Sequence, residues 1–99
     1  MNGLEQGGKK ILLASHALDR FAERKIPLEL VGKILRNGVK IADYEPGRIL
    51  CIYKSRGEFY SVVYEEDWEK FTIITAYRSS IWEKEMFERG KKYEKQKTH

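Results

Sequence analysis

The 99-residue chain has one cysteine, two prolines and two histidines. The single thiol, Cys51, excludes an intramolecular disulfide framework and any cysteine-based zinc cluster, and it suits a reducing cytosol, so a cytoplasmic location is expected. It sits in the apolar run Ile49-Leu50-Cys51-Ile52, where a buried, inert thiol is the expected state. No stretch reaches the ~18 apolar residues of a membrane span. The segment Met1–Lys10 has no hydrophobic centre, so no signal peptide is expected. There is no GxGxxG or Walker-type loop and no internal repeat. The acidic cluster Glu65-Glu66-Asp67 is consecutive and has no histidine near it in sequence, so it reads as a solvated turn. Neither a metal nor a cofactor is expected.

Charge is what the chain has in plenty. Charged residues make up 34% and apolar residues 41%, against about 25% and about 45–50% in average domains. This describes one soluble globular domain with a modest core. The 19 Lys+Arg exceed the 15 Asp+Glu by four. All of that surplus falls in residues 89–99, where Arg89, Lys91, Lys92, Lys95 and Lys97 face Glu94 alone. The body is therefore neutral, and the basic end binds polyanions without sequence preference or serves as a solubilising tail. The expected layout is a flexible lead-in over 1–10, one domain over 11–89 and a basic tail over 90–99.

Periodicity then sets the elements. Ile11–Ala14 is a short apolar run, either an edge strand or a piece packed on the core. Ser15 is a good N-cap for a helix over about His16–Arg24, whose apolar stripe is Ala17, Leu18, Phe21 and Ala22. Pro27 opens a second helix to about Arg36, with Leu30, Val31, Ile34 and Leu35 inward, and Asn37-Gly38 stops it. Four strands follow, over 39–44, 48–54, 59–65 and 70–78, joined by short turns. Pro46-Gly47 suits a type II turn. A last helix runs from about Trp82 to Arg89, capped by Ser79 or Ser80. This is an α+β chain: two N-terminal helices on a four-stranded antiparallel meander, with a C-terminal helix and the basic tail. Helices on one face leave the opposite face free for a ligand or partner.

Two groups of residues carry chemistry. His16, Arg20 and Arg24 stand at i, i+4 and i+8 on one side of the first helix. An imidazole beside two permanent cations can bind a phosphate and exchange a proton near neutrality. The plainer alternative is a surface stripe in which the arginines pair with Asp19 or Glu23. In the fourth strand, Thr75 and Tyr77 share a face while Arg78 points the other way. Arg48 and Lys54 share a face of the second strand but lie at opposite ends of it.

These segments resemble a known family. Ser15-His16-Ala17-Leu18-Asp19-Arg20-Phe21-Ala22-Glu23-Arg24-Lys25-Ile26, the helix ending Ile-Leu-Arg-Asn-Gly, and Ile73-Ile74-Thr75-Ala76-Tyr77 are similar to the motifs of a small prokaryotic domain of unknown function. That family is grouped with RelE-type and BrnT-type toxins in the barnase–EndoU–colicin–RelE ribonuclease-like fold. The resemblance spans about residues 14–78. It implies a metal-independent ribonuclease of a toxin–antitoxin system, an mRNA interferase, held inactive by an antitoxin or immunity protein. It also implies His16, Arg20, Thr75 and Tyr77 as catalytic residues. His16 would exchange the proton, Arg20 would hold the phosphoryl oxygens, Thr75 would hydrogen-bond a phosphate oxygen, and Tyr77 would stack on a base or donate a proton. Arg24, Arg48, Lys54 and Arg78 are expected to bind substrate. Members of the family often carry a histidine just before the Val-Val of the third strand, where this chain has Ser61. That departure favours a second expectation, a non-catalytic RNA-binding or partner-binding module of the same fold. Its strand tyrosines Tyr53, Tyr60, Tyr64 and Tyr77 would stack on bases or form an interface. A homodimer through the free sheet face is a third.

Overall fold

A computed structural model describes residues 4–97, with side chains described over 7–91. Residues 1–3 of the expected lead-in and the terminal His99 lie outside the described residues, as do the side chains of Lys92, Lys95 and Lys97. The elements run β1 (Leu4–Gln6), β2 (Lys9–Leu13), α1 (Ala17–Glu23), α2 (Leu30–Asn37), β3 (Val39–Ala42), β4 (Ile49–Ser55), β5 (Glu58–Glu66), β6 (Lys70–Arg78) and α3 (Ile81–Lys97). They form an α+β fold around a six-stranded sheet of order β1-β2-β6-β5-β4-β3.

The sheet corrects the four-stranded, all-antiparallel expectation. Strands β3 to β6 do form the antiparallel meander. But β1 and β2, drawn from a segment read mostly as a mobile lead-in, make a hairpin. Strand β2 then joins β6 in parallel, with Ile11 opposite Phe71 and Leu13 opposite Ile73. Backbone pairing to the edge of β6 holds this hairpin, and Ile11 is its buried anchor. Composition does not report such pairing. At the predicted turn, Gly47 has φ 83° and Arg48 N–H donates to Glu45 O at 3.2 Å, the geometry of a type II turn.

Both N-terminal helices start later than expected. Leaving β2, Ala14 N–H donates to Ile73 O and Ala17 N–H donates to Ala14 O, each at 2.9 Å. This tight exit puts His16, not Ser15, at the N-cap position, in the left-handed region at φ 76°. Ala17 and Phe21 are buried, while Leu18 and Ala22 are exposed, because two helical turns laid along a strand present only a narrow face. Residues 27–29 form a turn through Leu30 N–H to Pro27 O and Val31 N–H to Leu28 O, so α2 begins at Leu30. Gly38 ends it with φ −72° rather than as a left-handed cap. Glycine is required there by crowding: a Cβ would lie 2.4 Å from Cys51 Sγ and 2.7 Å from Ile34 O.

Helices cover both faces, which overturns the expected free sheet face. Phe21, Ile26, Val31, Ile34 and Leu35 pack with Ile11, Val62, Tyr64 and Ile73 on one side. On the other, Phe87 and Met86 of α3 pack with Val39, Leu50, Ile52 and Val63. Each fully buried aliphatic or aromatic side chain contributes about 1.5–3 kcal/mol. The apolar runs Ile49–Tyr53 in β4 and Val62–Tyr64 in β5 match a sheet buried on both sides. Helix α3 continues to Lys97, beyond the expected end at Arg89, and Gly90 lets it approach Val39, whose Cγ1 would be 2.5 Å from an added Cβ. No helix among the described residues is long and apolar enough to cross a membrane.

Candidate functional site

The first group lies along α1 and the edge of β6. Strand β2 covers β6 only as far as Ile73. Beyond that point α1 takes over the edge: Arg24 Nη1 donates to Ala76 O at 2.7 Å, and Arg78 Nη1 donates to Arg24 O at 2.8 Å. Arg24 thus closes a backbone carbonyl of β6, and Arg78 closes the carbonyl of Arg24 at the C-terminal end of α1. Arg78 also pairs with Glu58 at 3.3 Å and lies over the Tyr60 ring at 5.2 Å. One turn back along α1, Arg20 holds Glu23 at 3.2 Å. The His16 side chain, 76% exposed, faces Asp19 at 3.8 Å. The strip is thus partly compensated, but exposed pairs of this kind are worth ~0–1 kcal/mol and exchange readily for a phosphate.

The second group is built where β6 meets α3. Tyr77 lies opposite Ser61, and Thr75 lies opposite Val63, so both face α3. Ser80 caps α3, receiving Glu83 N–H on its Oγ at 3.3 Å. Glu83 Oε1 receives Ser80 N–H at 2.8 Å, completing a capping box. Glu83, only 3% exposed, also accepts from Ser61 Oγ at 3.1 Å and from Tyr77 Oη at 2.6 Å. Ser61 is fully buried and shares a 2.8 Å hydrogen bond with Ser79 Oγ. Burial first, then the hydrogen bond and charge of Glu83, push the Tyr77 hydroxyl well above the ordinary tyrosine range. It stays a donor, locked onto Glu83.

The structure therefore divides the expected quartet. His16 and Arg20 sit on α1, which packs on one face of the sheet through Phe21. Thr75 and Tyr77 point to the other face, toward α3. A base and an acid must both reach one substrate, and here the sheet lies between them. Arg24 and Arg78 are brought together. Arg48 pairs with Glu65 at 3.2 Å at the start of β4, and Lys54 lies over Phe59 at its far end, 5.2 Å from the ring centre, so neither joins them. Tyr60 and Tyr64 are buried and cannot stack on a base. Among the described residues the large exposed aromatics are Tyr44, Trp68 and Trp82.

Other titratable groups are structural. Burial pushes the Cys51 thiol up to about 11, and its Sγ donates to Ile34 O at 3.1 Å. Hydrogen bonds from Lys70 and from the backbone N–H groups of Glu69 and Lys70 hold Asp67 down at about 2, as a turn cap. Among the described residues no group of three or more His, Cys, Asp or Glu could hold a metal ion. Sequence reasoning missed Glu83, and it offered Ser79 as a helix cap rather than as the partner of Ser61. The spacing Ser80-x-x-Glu83 carried the signal for Glu83; its second role, under the sheet face, had none.

The helices and the mixed sheet define an α+β fold. The fold is similar to that of the Brucella abortus ribonuclease toxin BrnT, with a TM-score of 0.60 and 14% identity over 73% of this chain and 97% of that one. At such identity the likeness is one of fold. Residues 13–78 match the family described as a domain of unknown function, DUF4258, and the chain belongs to that family. No curated protein matches the sequence.

Proposed function

We propose that this chain is an RNA-binding protein of the ribonuclease-toxin fold, partnered by an antitoxin-type protein. RNA would lie along the strip formed by His16, Arg20, Arg24 and Arg78. The observation that carries this reading is the placement of three guanidinium groups and an exposed imidazole along one helix and the strand edge it borders. Arg24 is preorganised there by its bond to Ala76 O. The split between His16 and Tyr77 argues for binding without the four-residue chemistry. A second reading, a metal-independent endoribonuclease, is favoured by the fold likeness to a ribonuclease toxin and by His16, whose side chain stands in solvent at the start of α1.

The test uses single-stranded RNA with excess chelator. The binding reading expects salt-sensitive association without cleavage, and Arg20→Ala should reduce the salt slope by about one. Cleavage that disappears in His16→Ala selects the second reading. An unchanged salt slope in both Arg20→Ala and Arg78→Ala would sink the first.

A further inference from the structure

We propose that the groove at the start of α3 docks a basic side chain, arginine or lysine, carried by an extended segment of a partner protein. The groove is open, about 740 Å³, and lies between the end of β3 and the first turn of α3. Two large aromatic side chains stand at it: Tyr44 is 97% exposed and Trp82 54% exposed. Exposed aromatic surface of this kind, rimmed by polar groups, marks interaction sites. Among the described residues, the charged ones lining the groove are Asp43 and Glu83, both carboxylates. Glu83 is already engaged by Ser61, Tyr77 and Ser80. Asp43 Oδ2 receives the Glu45 N–H at 3.2 Å and keeps acceptor capacity toward the groove.

Charge complementarity therefore calls for a cation. A guanidinium can stack on indole and phenol faces while pairing with a carboxylate, and an ammonium can do the first and, less directionally, the second. A phosphodiester fits poorly. It would meet two carboxylates, and the helix N-terminus is already turned inward by the Ser80–Glu83 capping box. The carrier is an extended segment because β3 is a terminal strand of the sheet and its last residue, Ala42, borders the groove. A strand edge accepts extended chain. The groove is separate from the α1 strip, so this inference and the RNA reading fail independently.

The test is an NMR titration of the full chain, following the Trp82 indole N–H. The probes are the blocked pentapeptide Gly-Val-Arg-Val-Gly, its Gln analogue and a single-stranded RNA decamer. The arginine peptide should shift Trp82, and the Gln analogue should bind at least about fivefold more weakly. Asp43→Asn, which keeps the turn's acceptor, should weaken the arginine peptide about three- to tenfold. Trp82→Ala, with its fold checked by circular dichroism, should do the same, read from the Tyr44 resonances. Equal affinity for the Gln peptide overturns the proposal. So does a silent Trp82 up to the solubility limit of the peptide, or a Trp82 response to RNA at lower concentration than to the peptide.

Discussion

Replacing Glu83 with alanine removes one acceptor from three donors at once. Tyr77 Oη, 2.6 Å from Oε2, loses its partner inside a half-buried pocket. Ser61 Oγ keeps Ser79 at 2.8 Å and so loses less. Ser80 N–H, on an exposed residue, exchanges its bond for water, and the helix loses half of its capping box. A stranded buried donor costs about 1–3 kcal/mol and a lost cap about 1 kcal/mol, so the sum is about 3 kcal/mol. For a domain of this size that is a fall in Tm of about 12–24 °C. Glu83→Gln keeps a carbonyl for Ser61 and Ser80 and turns its amide toward a hydroxyl that can rotate to accept, so it should cost only about 1 kcal/mol. Urea unfolding followed by tryptophan fluorescence reads both, and a Tyr77→Phe cycle isolates the pair, with an expected coupling of about 1 kcal/mol or more. A loss below about 0.5 kcal/mol in Glu83→Ala, within the range of an ordinary surface change, would refute the view that this network pins the start of α3 to the sheet.

Three further outcomes follow from the same packing. Gly38→Ala should destabilise by about 1–3 kcal/mol in the same assay, because the new Cβ meets Cys51 Sγ and the Ile34 carbonyl with no room to yield. Tyr64→Phe should be neutral or stabilising by up to about 1 kcal/mol, since the buried Tyr64 hydroxyl has no hydrogen-bond partner and its removal ends a desolvation cost. The Cys51 thiol, raised by burial to about 11, should react with a thiol reagent at pH 8 on the order of a hundredfold more slowly in the native than in the unfolded chain, from thiolate fraction alone. A native rate matching the unfolded rate would contradict its burial.

The meander was legible because its signals are local: Pro46-Gly47 at a turn, and apolar, β-branched and aromatic residues concentrated in β4 and β5. Met86 and Phe87, which cover the second face, fall within the expected Trp82–Arg89 helix, but nothing in the order of elements says that this helix crosses to the face opposite α1 and α2. The β1–β2 hairpin was illegible because its main partner is β6, some sixty residues away, and because parallel pairing leaves no periodic mark in a glycine-containing lead-in. The spacing of His16, Arg20 and Arg24 held only in part: Arg20 lies within α1 and Arg24 at its end, while His16 precedes the helix in the left-handed region, and the meeting of Arg24 with Arg78 had no sequence signal. The union of that strip with Thr75 and Tyr77 failed. Sequence order says which residues share a strand face, not which face a helix covers. Glu83 reads as one more surface acid until Ser61 and Tyr77 are seen beneath it.

On the proposed reading the α1–β6 edge meets RNA while the Tyr77–Glu83 network serves structure. The most direct measurement maps chemical shifts on the full chain as single-stranded RNA is added with chelator present. The largest changes are expected at His16, Arg20, Arg24 and Arg78, with Thr75, Tyr77 and Glu83 nearly still. Changes concentrated at Thr75, Tyr77 and Ser61, or confined to the lysines after Arg89, would contradict it.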